Sequence, residues 1–133
     1  EEVEGIGLID ATTAPLTTRA TGELASTPTH AGITAELTEP LTGFENHMGA
    51  TTLGPDAQPL GAVTRGVGNG AGEGRVDGVV QGSVIATYMH GPALARNPQL
   101  ADLLLARALD VPLADLEPLD LPVVDQLRRE RLR

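Results

Sequence analysis

Apolar and polar residues follow different periods on the two sides of Gly91-Pro92, and this change locates the central unit of the chain. Residues 82–90 are rich in β-branched and aromatic side chains and predict a strand that ends on His90. After the Gly-Pro break, apolar residues recur at helical spacing in residues 97–109, with Asn97 as the candidate N-cap and a proline in the first turn. The pattern predicts a strand, a loop and a helix, with a histidine at the carboxyl end of the strand.

Other segments show the two-residue period or the composition of strands. Residues 5–10 predict a strand entering a loop, and residues 17–24 are typical of a strand rich in threonine. Ile33, Ala35 and Leu37 alternate with polar residues, which predicts a half-buried strand ended by the proline that follows.

Eight glycines lie in residues 61–82. Within them, residues 66–71 match the letters G-x-G-x-x-A of the dinucleotide fingerprint, but the fingerprint needs a helix next, and a valine-rich strand follows instead. A hairpin joining strand 60–67 to strand 76–80 explains the glycines better. The chain has no lysine, which rules out a Walker A phosphate loop, and its histidines lack metal-ligand spacing. We therefore expect no cofactor and no metal.

Charge and composition narrow the class of protein. The 133 residues carry eighteen acidic and nine basic side chains, every basic one is arginine, and this balance argues against a nucleic acid partner. No apolar run reaches the length of a membrane span, and the acidic start, Glu1-Glu2-Val3-Glu4, is unlike a signal peptide, so we expect a cytoplasmic protein without membrane insertion. The chain contains no cysteine and hence no thiol nucleophile of its own.

Candidate chemistry rests on a few residues. His90 is the first candidate because ligands gather at the carboxyl ends of strands in open α/β sheets, although a lone histidine beside apolar residues is often structural. Glu45, Asn46 and His47 lie between glycines, where they suit either a site wall or an ordinary polar turn. Arg19 has the side chain to bind a carboxylate in a bidentate manner, or it is a solvated strand residue.

The carboxyl end is set apart by prolines. A proline-punctuated link leads from residue 110 to a stretch, 123–133, that predicts a short terminal helix with arginines near its carboxyl end. A partner-docking tail is the functional alternative. We accordingly divide the chain into a domain of residues 1–109 and a link with terminal helix, residues 110–133.

Taken in order, these motifs resemble the carboxyl half of a CobB/CobQ-type class I glutamine amidotransferase. The matching segments are Gly5-Ile6-Gly7-Leu8-Ile9-Asp10, Arg19 with Gly22, Gly43-Phe44-Glu45-Asn46-His47-Met48-Gly49, Pro59-Leu60-Gly61, Gly66 to Asn69, Glu73-Gly74, and Thr87-Tyr88-Met89-His90-Gly91-Pro92 with Arg96-Asn97-Pro98. Within that family the chain most resembles the GatD group, glutaminase subunits that work with MurT to amidate the D-glutamate of the peptidoglycan precursor lipid II.

The resemblance implies a fold and a reaction. The fold would be α/β, a flavodoxin-like three-layer sandwich around a parallel sheet, of which this chain is the carboxyl-terminal portion with a hairpin-rich segment. In such glutaminases a cysteine thiolate attacks the side-chain amide of glutamine, a histidine passes the proton to the departing ammonia, and water hydrolyses the thioester. His90 matches that histidine and Arg19 matches a glutamine-binding arginine. The residues implied to support the site are Glu45, Asn46, His47 and Tyr88.

The resemblance also sets limits. The cysteine-bearing elbow of the family lies upstream of the segment that matches residues 5–10, so we expect the isolated chain to hydrolyse no glutamine. Pro92 stands where many class I glutaminases carry a glutamate that orients the histidine, and in GatD-like members the partner is implied to supply that group. The implied partners are glutamine and a MurT-like Mur ligase subunit.

Two other functions remain open from the sequence. Cobyric acid and cobyrinate synthases share the Glu-x-His-Met-Gly and Tyr-x-His-Gly patterns, which would move the same chemistry to corrinoid synthesis. The chain could instead be a non-catalytic module that docks on a Mur-ligase-like partner.

Overall fold

A computed structural model describes residues 3–72 and 74–133 of the chain. Glu1 and Glu2 of the acidic start, and Glu73 of the Glu73-Gly74 motif, lie outside the described residues. The strands are β1 (Ala11–Pro28), β2 (Leu41–Leu53), β3 (Gly61–Arg65), β4 (Val76–Asp77), β5 (Val79–Gln81), β6 (Val84–Ala86) and β7 (Met89–His90). The helices are α1 (Ala93–Arg96), α2 (Pro98–Leu109) and α3 (Pro122–Arg131), with 3-10 turns at Gly32–Thr34 and Leu113–Asp115.

The strands of the described residues form two sheets. The larger has the order β4-β3-β1-β2-β7, and β5 pairs with β6 in the smaller. The ladders between these strands are antiparallel, and an isolated parallel bridge joins Thr51 to Gly70. The α/β class is confirmed, but the parallel sheet that the resemblance implied is not what these strands form. The connection between β5 and β6 has two residues, and a connection that short can join antiparallel strands but not parallel ones.

Several elements predicted from the pattern are confirmed. Strand 17–24 lies within β1, and the glycine-rich segment separates two paired antiparallel strands, β3 and β4. The predicted strand 76–80 is divided at Gly78, however, because β4 belongs to the larger sheet and β5 to the smaller. The helix after the Gly-Pro break is α2, and its Leu100 and Leu103 are buried as the helical spacing requires. The terminal helix is α3, with arginines in its last turn.

Two predicted strands are absent from the described residues. Residues 5–10 have no regular structure, because glycine at position 7 turns the backbone with a φ of 69° and Ile6 is 94% exposed. Residues 33–38 contain the end of a 3-10 turn rather than a strand. Thr34 donates both its backbone N–H and its hydroxyl to the Ala31 carbonyl, and Leu37 is buried by the turn that follows.

Residues 82–90 are divided between two sheets, so the prediction of one continuous strand is wrong. β6 pairs with β5, the chain bends at Thr87 and Tyr88, and β7 then pairs with β2. The polar segment 43–49 is likewise part of the long strand β2, and the interpretation as a turn is wrong.

The core lies between the larger sheet and α2. Its buried apolar residues are Leu24, Ala31, Leu37, Leu41, Leu60, Val63, Val80, Met89, Leu100 and Leu103. Asn97 lies beside this core but does not cap α2 with its side chain, contrary to the prediction. Its amide instead accepts from the backbone N–H of Thr42 and donates to the Thr42 carbonyl, which fastens the start of α2 to β2.

Candidate functional site

Alternation along β2 assigns the polar cluster to two faces of the sheet. Glu45 and His47 are buried, whereas Asn46 between them is exposed. In the antiparallel ladder between β2 and β7, Phe44 is paired with His90 and Glu45 with Met89. Side chains of directly paired residues share a face, so His90 lies on the open face with Phe44.

His90 is exposed at the outer edge of the sheet. It ends the strand, because Gly91 turns the backbone with a φ of 61°, a value that glycine adopts without strain. Of the two residues of β7, Met89 is buried and His90 is exposed, so another group can approach the imidazole of His90.

Arg19 reaches the same open face through Asn46. The pairing register of β1 and β2 shifts between Pro15 and Ala20, which releases Arg19 from the regular ladder. Its guanidinium Nη1 donates to Asn46 Oδ1 at 3.0 Å, and both side chains are exposed. The structure thus places Arg19, Asn46 and His90 on one face.

Glu45 holds the glycine-rich loop from the opposite face. One carboxylate oxygen accepts the backbone N–H of Val67 at 2.7 Å, and the other accepts the N–H of Gly68 at 2.9 Å. Hydrogen bonds of this kind to a charged acceptor are about twice as strong as neutral ones. Glu45 is 2% exposed, so its visible role is to fix the loop rather than to meet a ligand beside His90.

His47 and Tyr88 are stacked on each other. Their ring centroids lie 3.8 Å apart and the planes differ by 10°. His47 Nδ1 lies 2.9 Å from the Gly49 carbonyl, which can only accept, so Nδ1 carries a hydrogen. The Tyr88 hydroxyl lies 2.7 Å from Thr51 Oγ1, and a Cβ at position 49 would come within 2.5 Å of that hydroxyl. Glycine at position 49 is what makes room for the stack.

Asp77 is a buried acid that the sequence analysis did not single out. Its Oδ2 accepts the hydroxyl of Thr87 at 2.6 Å. Burial raises the pKa of Asp77 above its ordinary value, and the Thr87 hydroxyl and the nearby backbone N–H of Tyr88 oppose that shift only in part. A lone aspartate in a valine-rich strand, directly before a glycine, was the available signal.

Asn69 is a second buried polar residue that the analysis missed. Its side-chain oxygen accepts the Gly78 N–H at 2.8 Å and its side-chain nitrogen donates to the Gly78 carbonyl at 2.9 Å. This paired contact ties the glycine-rich loop to the turn between β4 and β5. The loop is therefore held from two sides, by Glu45 and by Asn69.

An apolar cavity lies on the Tyr88 side, and His90 is not among its lining residues. It has a volume of about 420 Å³ and is lined by residues of the segment 5–9 together with Ala11, Thr13, Thr51, Asn69, Gly78, Val79, Ala86, Thr87 and Tyr88. Among residues 3–72 and 74–133 no three histidines or acids come together as metal ligands would. None of the described helices is both long and apolar enough to cross a lipid bilayer.

Comparison with known proteins agrees with the resemblance. The CobB/CobQ-like glutamine amidotransferase domain matches residues 1–98. The chain is 36% identical over 109 residues to the GatD subunit of lipid II isoglutaminyl synthase (glutamine-hydrolyzing) from Staphylococcus aureus, covering 82% of this chain and 41% of that protein. It is 48% identical over 68 residues to the GatD subunit from Streptococcus pneumoniae, covering 50% of this chain and 25% of that one.

A cobyric acid synthase from Sphingopyxis alaskensis is also similar, 38% identical over 107 residues, with 80% of this chain and 19% of the synthase covered. The chain thus spans less than half the length of each of these relatives. The match over residues 1–98 covers most of the 133 residues, and the chain belongs to the CobB/CobQ-like glutamine amidotransferase family.

Proposed function

We propose that this chain is the histidine-bearing part of a glutaminase, in which His90 relays the proton of a cysteine thiol. The imidazole takes the proton of the thiol, and the resulting thiolate attacks the side-chain amide carbon of glutamine, forming the carbon–sulfur bond. The imidazolium then gives that proton to the nitrogen as the carbon–nitrogen bond breaks and ammonia leaves. Water hydrolyses the thioester to glutamate. The chain itself has no cysteine, so the thiol comes from a cysteine-bearing segment.

The observation that carries this proposal is the position of His90 on the open face of an edge strand. A proton relay needs an imidazole that a separate nucleophile can approach to hydrogen-bond distance. A buried histidine such as His47, stacked on Tyr88 and facing the Gly49 carbonyl, does not offer that access.

Arg19 is proposed to bind the α-carboxylate of glutamine. The guanidinium presents paired N–H groups that match a carboxylate, and one of its nitrogens is held by Asn46 at 3.0 Å. Asn46 therefore acts by orienting Arg19. Glu45, His47 and Tyr88 are assigned to support, because they hold the loop and the strands from the opposite face.

The finer features of the fold belong to the same proposal. We assign the chain to the carboxyl-terminal portion of a class I, flavodoxin-like sandwich, with residues 1–109 in that domain and 110–133 as link and terminal helix. Membership of the CobB/CobQ-like family supports the fold assignment.

The acceptor of the ammonia is proposed to be the D-glutamate of lipid II, on a MurT-like Mur ligase subunit in the cytoplasm. The support is that two relatives are GatD subunits of a lipid II isoglutaminyl synthase. A corrinoid acceptor is the second candidate, favoured by the similarity to cobyric acid synthase over 107 residues.

The test is glutamine hydrolysis by the natural gene product that contains residues 1–133, alone and with its MurT-like partner. We expect release of glutamate and ammonia, and amidation of lipid II when the partner and ATP are added. No hydrolysis in either preparation would overturn the glutaminase. Hydrolysis with amidation of a corrinoid acid, and not of lipid II, would select the second candidate.

A further inference from the structure

We propose that Asp77 is a positioning residue for His90. Its buried carboxylate fixes Thr87 and, through the Thr87 hydroxyl, the backbone of Met89, which precedes His90, and so fixes where the imidazole lies on the open face. This inference rests on the proposed glutaminase function and adds a residue that acts from the opposite side of the sheet.

The contacts form a short chain of hydrogen bonds. The Thr87 hydroxyl donates to Asp77 Oδ2 at 2.6 Å. A hydroxyl has a single hydrogen, so Thr87 Oγ1 is left with lone pairs, and it accepts the N–H of Met89 at 3.1 Å. The carboxylate thereby determines which way the threonine hydroxyl points.

The segment before His90 depends on this side-chain contact because few strand hydrogen bonds hold it. Thr87 and Tyr88 belong to no strand, and β7 pairs with β2 through two residues. Asp77 lies in β4, at the other end of the strand order of the larger sheet. The bond from Thr87 to Asp77 therefore ties the segment just before β7 to the strand at the opposite edge of the sheet.

The burial of Asp77 costs free energy that the neighbouring contacts only partly offset. Asp77 is fully buried, and its Oδ1 has no hydrogen-bond partner among the described residues. A buried polar atom without a hydrogen-bond partner destabilises the folded state. The ionisable groups that face it are Glu45, whose negative charge disfavours a second one, and His47, which favours a negative charge when its ring is protonated. A residue kept at such a cost is expected to do more than fill space.

The test compares two substitutions at Thr87 in the natural gene product. Thr87→Val has the same shape without the hydroxyl, and Thr87→Ser keeps the hydroxyl. We expect Thr87→Val to lower kcat for glutamine hydrolysis about 10- to 100-fold, the effect of misplacing a reacting group by about 1 Å. KM should change less than about threefold, because the proposed glutamine contact at Arg19 is untouched. Thr87→Ser should keep kcat within about threefold of the unsubstituted protein.

Equal kcat for Thr87→Val and Thr87→Ser would overturn the positioning role. A decrease in kcat that is no larger than the decrease in the folded fraction, measured by circular dichroism, would also overturn it. If Thr87→Val does not fold, Asp77→Ala, which removes the acceptor of the Thr87 hydroxyl, is measured in the same way, and an unchanged kcat there would also overturn the positioning role. An unsubstituted protein that hydrolyses no glutamine would instead overturn the proposed function itself.

Discussion

His90 is paired with Phe44 across the ladder of β2 and β7, and this pairing places His90 and His47 on opposite faces of the sheet. It puts His90 on the face where Phe44 is 40% exposed, while His47, three positions along β2 from Phe44, is buried on the other face. The open face is where we place the chemistry, and the buried face holds the contacts that keep the strands in register.

The two hydrogen bonds from the glycine-rich loop to the Glu45 carboxylate predict a large effect of this residue on stability. Glu45→Ala would leave the N–H groups of Val67 and Gly68 without their acceptor, and we expect it to lower the free energy of unfolding by about 2–4 kcal/mol. Glu45→Gln keeps one acceptor oxygen and should cost about half as much. Urea titrations of the variants measure both.

The control for that series is Asn46→Ala, at the exposed neighbouring position. Its effect on the free energy of unfolding should stay within about 0.5 kcal/mol. If Glu45→Ala proved no more harmful than Asn46→Ala, the loop would not depend on the carboxylate.

Adjacent arginines of α3 should differ sharply. Arg128 is 7% exposed and its guanidinium donates to the Arg96 and Pro40 carbonyls and to Asn97 Oδ1. Its ion pair with Glu39 adds little, because Glu39 is 54% exposed. Arg128→Met should lower the free energy of unfolding by about 2–3 kcal/mol, through the carbonyls left unpaired.

Arg129 provides the matched comparison. It is exposed in the same helix, so Arg129→Met should change the free energy of unfolding by less than about 0.5 kcal/mol. Urea unfolding followed by circular dichroism measures both variants. Similar values for the two would mean that α3 is not held to the rest of the chain by Arg128.

Asp77 predicts a pH dependence with a definite sign. Its pKa is raised in the folded protein above 3.8, so above that value the unfolded chain holds fewer protons than the native one, and this carboxyl lowers stability as the pH rises. Asp77→Asn removes that contribution. The free energy of unfolding of the variant, relative to the unsubstituted protein, should therefore improve as the pH is raised from about 4 to about 7.

Urea titrations at the two pH values measure this difference. Each unit by which burial raises the pKa corresponds to about 1.4 kcal/mol over the full window. A difference that stayed constant, or that moved in favour of the unsubstituted protein with rising pH, would contradict the burial of the charge at Asp77.

The sequence predicted the elements whose local signals agree with their packing. The helix over 98–109 has a proline at its start and leucines at helical spacing, and the strand over 17–24 has the composition of a strand, so both formed as predicted. Residues 33–38 alternate like a strand, yet the Thr34 side chain bonds its own backbone and a turn forms instead. Alternation over six residues is too short to outweigh such a local bond.

The candidate site was predicted in part. The position of His90 at the end of a strand followed from the pattern before Gly91-Pro92, and it does end β7. The separation of Asn46 from its neighbours by face could not be predicted, because the pattern left the segment open between a site wall and a polar turn, and side chains alternate in this way only in a strand. Asp77 was not predicted because its partner, Thr87, is ten residues away, in the segment between β6 and β7.

The most direct measurement of the central claim is kcat for glutamine hydrolysis by the natural gene product carrying His90→Gln. Removal of a general acid and base from a cysteine and histidine pair should lower kcat about 100-fold or more. His30→Asn is the control, because His30 is exposed and its φ of 59° is one that asparagine tolerates. The account predicts loss of activity in His90→Gln with His30→Asn unaffected, and undiminished hydrolysis by His90→Gln would contradict it.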